Sequence, residues 1–294
     1  MSPRGGLVPL DDTSLFVEER GSGPGVIVLH DGPGPDHHVF GDYLDPLTDA
    51  FRLLLVDQRA HGLSERPPES TWTLPRMAQD VIMLARALRL ERYAVLGHSF
   101  GASVALQNAV DYPGMAAAAI LSNGVPSGRW RVAVERNLKL FGPAELREKL
   151  VRSWARESSV STQEECAELL SDQLPFYFAD PIDPRIDDYR SRIGDTVYSP
   201  EMFRSSSAGV GLKVELEDRL GEVAAPTLVL SGRYDRACAP EASDAMARAI
   251  GGSELHVFER SGHMPFVEEQ AGYLEVVRGF LERKLQPGSR SVSR

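Results

Sequence analysis

Gly97-His98-Ser99-Phe100-Gly101 is the segment whose residue types and spacing most directly imply chemistry. Its flanks read as a strand, Tyr93 to Leu96, and an apolar helix continuing through Val104, Leu106 and Val110, the context in which G-x-S-x-G sets a serine on a sharp strand-to-helix turn. Only small neighbours tolerate that strained backbone, hence the glycines two before and two after Ser99. The turn exposes the hydroxyl, aims the positive end of the helix at it and leaves the Phe100 N–H free for an oxyanion. A hydroxyl is a weak nucleophile, so a base and an orienting carboxylate are needed in the order Ser, acid, His. Asp235, in Gly232-Arg233-Tyr234-Asp235, and His263, in Ser261-Gly262-His263-Met264-Pro265, each follow a candidate strand and meet that need. The rival position for the acid holds Asn123, which carries no charge; His61 and His98 lack the context, and His256 falls inside a strand pattern as a structural residue.

A second oxyanion donor is expected from the loop His30-Asp31-Gly32-Pro33-Gly34, where Gly32 lets its N–H approach a substrate closely. Asp36, His37 and His38 follow in the same loop, but adjacent side chains in a Pro/Gly-rich stretch do not converge on one ion, and the expectation is a helix start with no metal. Gly21-Ser22-Gly23-Pro24-Gly25 is not a G-x-G-x-x-G fingerprint and reads as a hairpin turn.

These residues need a scaffold of strands that gathers their loops at one edge. Apolar runs at Val26 to His30, Arg52 to Asp57, Tyr93 to Gly97, Ala117 to Asn123, Thr227 to Gly232 and Glu254 to Phe258 alternate with helical stretches, the clearest at Leu74 to Arg89. Alternation of that kind predicts an α/β fold, a mostly parallel, doubly wound sheet with its site beyond the C-terminal ends of the strands. The rhythm stops after Asn123 and resumes near Ala225, which implies an insertion, broken by Pro175, Pro181 and Pro184 into at least two helical parts. The expected organisation is a core over 1–125 and 216–286, a helical cap over 126–215 and a disordered tail over 287–294. Charge divides the cap: Arg129 to Arg156 carries eight basic and three acidic residues, whereas Glu157 to Asp188 carries nine acidic and one basic.

Composition narrows the function classes. A chain of 294 residues, 42% hydrophobic and 25% charged, buries a large core, and a formal charge of -10 argues against a grip on nucleic acid or anionic membranes. Cys166 and Cys238, the two cysteines of the chain, make no disulfide framework and no metal spacing; together with an N-terminus lacking a signal-like apolar stretch they point to the cytoplasm. No apolar run reaches the ~20 residues of a membrane helix, no cofactor is called for, and no pattern sets an oligomeric state.

Taken together the motifs resemble the α/β-hydrolase superfamily, in particular its proline iminopeptidase-like branch. His30-Asp31-Gly32-Pro33-Gly34 is similar to that branch's H-G-G-P-G, and Asp57-Gln58-Arg59-Ala60-His61-Gly62-Leu63-Ser64 to its D-Q-R-G-x-G-x-S. The resemblance implies a triad of Ser99, Asp235 and His263, an oxyanion hole of Gly32 and Phe100, and an acyl-enzyme route to a small amide or ester; the serine sets the chain apart from the aspartate-using epoxide hydrolases and haloalkane dehalogenases. Asp31 and Ala60 replace glycines of the pattern. Arg236 stands where some peptidase members carry an amine-binding glutamate, which favours a carboxylate or ester oxygen instead. An aminopeptidase acting on small or short-peptide substrates, a carboxylesterase or lactonase, and a non-catalytic ligand-binding protein all stay open, with Asp31, Phe176, Tyr177 and Arg236 as candidate substrate-binding residues.

Overall fold

A computed structural model describes residues 4–207 and 213–285; the tail expected over 287–294 lies outside them. In chain order the elements are β1 (Arg4–Pro9), β2 (Ser14–Gly21), β3 (Gly25–Leu29), β4 (Arg52–Val56), α1 (Leu74–Ala87), β5 (Tyr93–His98), α2 (Phe100–Asp111), β6 (Ala118–Ser122), α3 (Arg131–Leu140), α4 (Ala144–Arg156), α5 (Gln163–Tyr177), α6 (Arg185–Arg192), α7 (Pro200–Ser207), β7 (Thr227–Gly232), α8 (Pro240–Ala249), β8 (Glu254–Phe258), α9 (Pro265–Glu268) and α10 (Gln270–Leu285).

The strands form one sheet in the order β1-β2-β4-β3-β5-β6-β7-β8, parallel from β4 to β8 and antiparallel at β1 and β2. It is an α/β sheet whose six parallel strands, β3 to β8, follow the expected pattern. Successive residues of each strand face opposite layers: Val26, Val28, Leu53, Leu55, Leu96 and Ile120 pack with α10, while Ile27, Leu29, Leu54, Val56, Val95 and Leu121 pack with α1, α2 and α8. Burial on both faces is why these strands read as nearly unbroken apolar runs. No helix among the described residues is long and apolar enough to cross a membrane.

Two expectations change here. Gly21 to Gly25 is not a hairpin turn, because β2 and β3 do not pair; Gly21 and Gly25 both lie opposite Arg52, so the turn carries the chain across the start of β4. Pro175 does not break its helix either. It sits in the last turn of α5, two residues before the end at Tyr177, and the Ser171 carbonyl that it leaves without its intrahelical donor accepts from the Arg190 guanidinium (3.4 Å). Pro181 and Pro184 then separate α5 from α6. Helices α3 to α7 all lie between β6 and β7.

Candidate active site

Ser99 sits between β5 and α2 with φ 53 and ψ -113, a left-handed backbone for a non-glycine residue. Packing enforces the strain: a Cβ at Gly97 would run into the Gly101 carbonyl, and one at Gly101 into the carbonyls of Leu29 and His30. The Ser99 N–H donates to Ser122 O across the strand ends (2.8 Å). Phe100 opens α2, so no preceding turn of helix offers its N–H a carbonyl. Gly32 follows β3 at φ +133, a conformation that favours glycine.

Asp235 leaves β7 and His263 leaves β8, and the two meet: His263 Nδ1 donates to Asp235 Oδ2 at 2.8 Å, with both side chains buried. Asp235 is held on every side. Its Oδ1 accepts the N–H groups of Ala237 and Cys238, both at 2.8 Å, and its Oδ2 also accepts the Asn123 amide at 2.8 Å. Asn123, the uncharged residue at the rival acid position, thus serves the acid. Burial works to lower the His263 pKa, but Asp235, Asp31 and Glu268 outweigh it and leave the ring above its ordinary value.

Ser99, His263, Gly32 and Asp31 line one cavity of about 280 Å³ together with Glu157, Gln173, Tyr177, Phe203 and Cys238. Burial drives the pKa of the Cys238 thiol well above the usual thiol range. Gln173 links the wall: it donates to Glu157 at 2.8 Å and accepts the Tyr177 hydroxyl at 3.2 Å. Burial raises Glu157 and pushes Asp31 up to about 6.

Two candidates are placed elsewhere. Phe176 is buried against Phe141 and Trp154, ring centres 5.2 and 5.4 Å away, in a cluster between α3, α4 and α5. Arg236 turns away from the cavity: its guanidinium donates to the carbonyls of Phe178, Ala179 (2.8 Å) and Phe176 (3.4 Å) and stacks over Phe141. It is held there because the backbone leaving α5 offers it a row of acceptors. That strand of backbone, Tyr177 to Ala179, forms a strap. Tyr177 O accepts the His263 N–H at 2.6 Å, and Glu268 accepts Ala179 N–H and Gly262 N–H, both at 2.7 Å.

The second motif supports the oxyanion loop. Asp57 accepts the His37 N–H, the His37 ring and the Leu63 N–H. Gln58 N–H donates to His30 Nε2 (3.1 Å) and its amide to His30 O (2.9 Å), fixing the residue before Asp31. Asp57 and Glu18 hold His37 at about 9 against its burial. Asp36 caps the short helix at His37 to Phe40 by accepting His38 N–H. Ala60, in place of the glycine, is forced to φ 64. The sequence does not single out Gln173 or Cys238 as site residues, and Glu157 stands out in it only as the first of the nine acidic residues from Glu157 to Asp188.

With this geometry in hand, the sequence matches the family described as alpha/beta hydrolase fold over residues 24–270. Proline iminopeptidase of Heyndrickxia coagulans is 30% identical over 275 residues, 90% of this chain and 92% of that protein. Proline iminopeptidase of Clostridium botulinum is 27% identical over 283 residues, 92% and 93% of the two chains. Among solved structures, a proline iminopeptidase of Mycobacterium smegmatis superimposes with a TM-score of 0.74 at 24% identity, covering 96% of this chain and 98% of that one. An esterase of Exiguobacterium antarcticum gives 0.73 at 23%, covering 95% and 100%; these two structures share the fold.

Proposed function

The chain belongs to the α/β hydrolase fold family and is a serine hydrolase of it, and on that premise we propose an aminopeptidase that releases a small N-terminal residue, proline by analogy with its relatives, through an acyl-enzyme. Ser99 attacks the carbonyl while His263 takes its proton; Asp235 holds the ring and stabilises the imidazolium. The N–H groups of Gly32 and Phe100 receive the oxyanion, His263 returns the proton to the leaving amine, and water repeats the sequence on the ester. Helices α3 to α7, within 126–215, act as the cap that closes the cavity.

One observation carries the peptidase reading over the esterase or lactonase one: among the described residues two carboxylates, Asp31 and Glu157, and no lysine or arginine line the cavity. Arg236, the residue that favoured an ester, is occupied by the strap. A small volume suits a single residue. Cys166 and Cys238 are unpaired thiols, in keeping with a cytoplasmic protein.

Ser99→Ala should abolish hydrolysis of prolyl anilides and labelling by a fluorophosphonate while leaving the fold intact by circular dichroism. Undiminished turnover in that variant removes Ser99 from the mechanism, and a wild type that prefers acyl esters to prolyl anilides removes the peptidase reading.

A further inference from the structure

Asp31 is unlike the other carboxylates around Ser99. Both oxygens of Asp235 are filled by N–H donors. Glu157 accepts from Gln173 and from the Ser207 hydroxyl. Asp31 Oδ1, in contrast, is sealed from water and accepts no hydrogen bond, although the residue lines the same cavity as Ser99 and His263. A carboxylate oxygen sealed from water without a partner is costly, and sequences rarely keep one without a use.

Its position makes the cost larger. Asp31 directly precedes Gly32, whose N–H is assigned to the oxyanion, so an ionised Asp31 sets a fixed negative charge beside the one that develops in the transition state. A fixed like charge in a poorly solvated site raises the barrier. The glycine of the resembling motif brings no such penalty. Among the described residues no lysine or arginine lines the cavity, and the His263 ring, cationic once it has taken the Ser99 proton, is already paired with Asp235, so a further offset for Asp31 arrives with the occupant.

We propose that Asp31 receives the ammonium group of an α-amino acyl substrate, and that this ion pair, formed only when a free amine is bound, cancels the charge beside the oxyanion. Asp31 is then a specificity-determining residue of a particular kind. It rewards a free amine twice, by a charge-assisted hydrogen bond in the bound substrate and by relief of repulsion in the transition state. A neutral acyl group of the same shape fits the cavity and leaves the repulsion in place. The inference rests on Ser99 as the acylated nucleophile.

The test compares wild type, Asp31→Asn and Asp31→Gly on a prolyl anilide, its N-acetyl derivative and a short acyl ester. In wild type the free amine is strongly preferred. Both variants should lose about ten- to a hundredfold in kcat/KM on the free-amine substrate and hold or gain on the ester. An unchanged preference in a folded Asp31→Gly variant overturns the proposal, as does full free-amine activity in Asp31→Asn, which is what a protonated, merely hydrogen-bonding Asp31 predicts. Wild type alone gives a second reading: prolinol should protect Ser99 from fluorophosphonate at concentrations at least about tenfold lower than N-acetylprolinol, and equal protection by the two overturns the proposal without the variants. Absence of any labelling points instead to failure of the Ser99 assignment, so the two failures are distinguishable.

Discussion

The two halves of the insertion meet the rest of the molecule in different ways. Helices α3 and α4 lean on a small cluster of Phe141, Leu150 and Phe176 and leave Val132, Leu140 and Val151 exposed. The half from α5 onward is continuous with the sheet: Leu169, Leu170, Leu174, Phe178, Ile186 and Tyr189 belong to the same buried cluster as Val26, Leu96 and Ile120. Its strap is bonded to the residue after Asp235, to His263 and to Glu268. Among the described residues none of α3 or α4 lines the cavity around Ser99, whereas Leu170, Gln173 and Tyr177 of α5 help to build it.

Gly262→Ala attacks that difference most directly. A Cβ there would lie 2.5 Å from Tyr177 O and 2.7 Å from Ala179 N, so either the strap lifts or the histidine loop shifts. A displacement of that order should cost about a hundredfold in kcat, with the native circular dichroism of the helices retained; activity within twofold of wild type would show that the strap does not position His263.

Glu268 offers a smaller effect with a pH signature. Burial raises it from 4.5 to about 7, against the N–H bonds from Ala179 and Gly262. An acid whose native pKa exceeds its unfolded one contributes its full stability below the unfolded value and loses it as pH rises through the native value. Between pH 5 and 8 the unfolding free energy of wild type should therefore fall relative to Glu268→Gln, by roughly 1–3 kcal/mol. Parallel urea-unfolding curves across that range would assign the strap's stability to other contacts.

Leu140→Glu probes the outer half and should do least. The side chain is 80% exposed, so stability should stay within about 0.5 kcal/mol and kcat should not change. A large loss by thermal unfolding would mean that α3 is covered by something beyond its own cluster.

Legibility in the sequence follows how local each constraint is. The turn at Ser99 was readable because its glycines answer clashes within a few residues, and Asp235 and His263 because strand ends announce them. Strands β1 and β2 are not among the expected runs: Gly5, Gly6 and Pro9 weaken the propensity of β1, nearly all of which is exposed, and β2 buries only Leu15 and Val17 before the charged run Glu18-Glu19-Arg20. The aromatic run Phe176-Tyr177-Phe178 shows what sequence cannot resolve. Its three rings go to three places, the cluster against Phe141, the cavity over His263 and the sheet core, and only the path of the strap decides which. The placing of Arg236 is illegible for the same reason, since its partners are carbonyls 57 to 60 residues away in sequence.

The strap also fixes what can be exchanged. A chimera that borrows the insertion of a relative inherits whatever backbone follows its α5, and that backbone has to match Gly262, Arg236 and Glu268 of the host. The portable unit is therefore the outer pair of helices, α3 and α4, joined upstream of Gln163. From α5 onward the insertion shares its heredity with the loops of the acid and the base, and a graft that cuts there exchanges half of a catalytic centre.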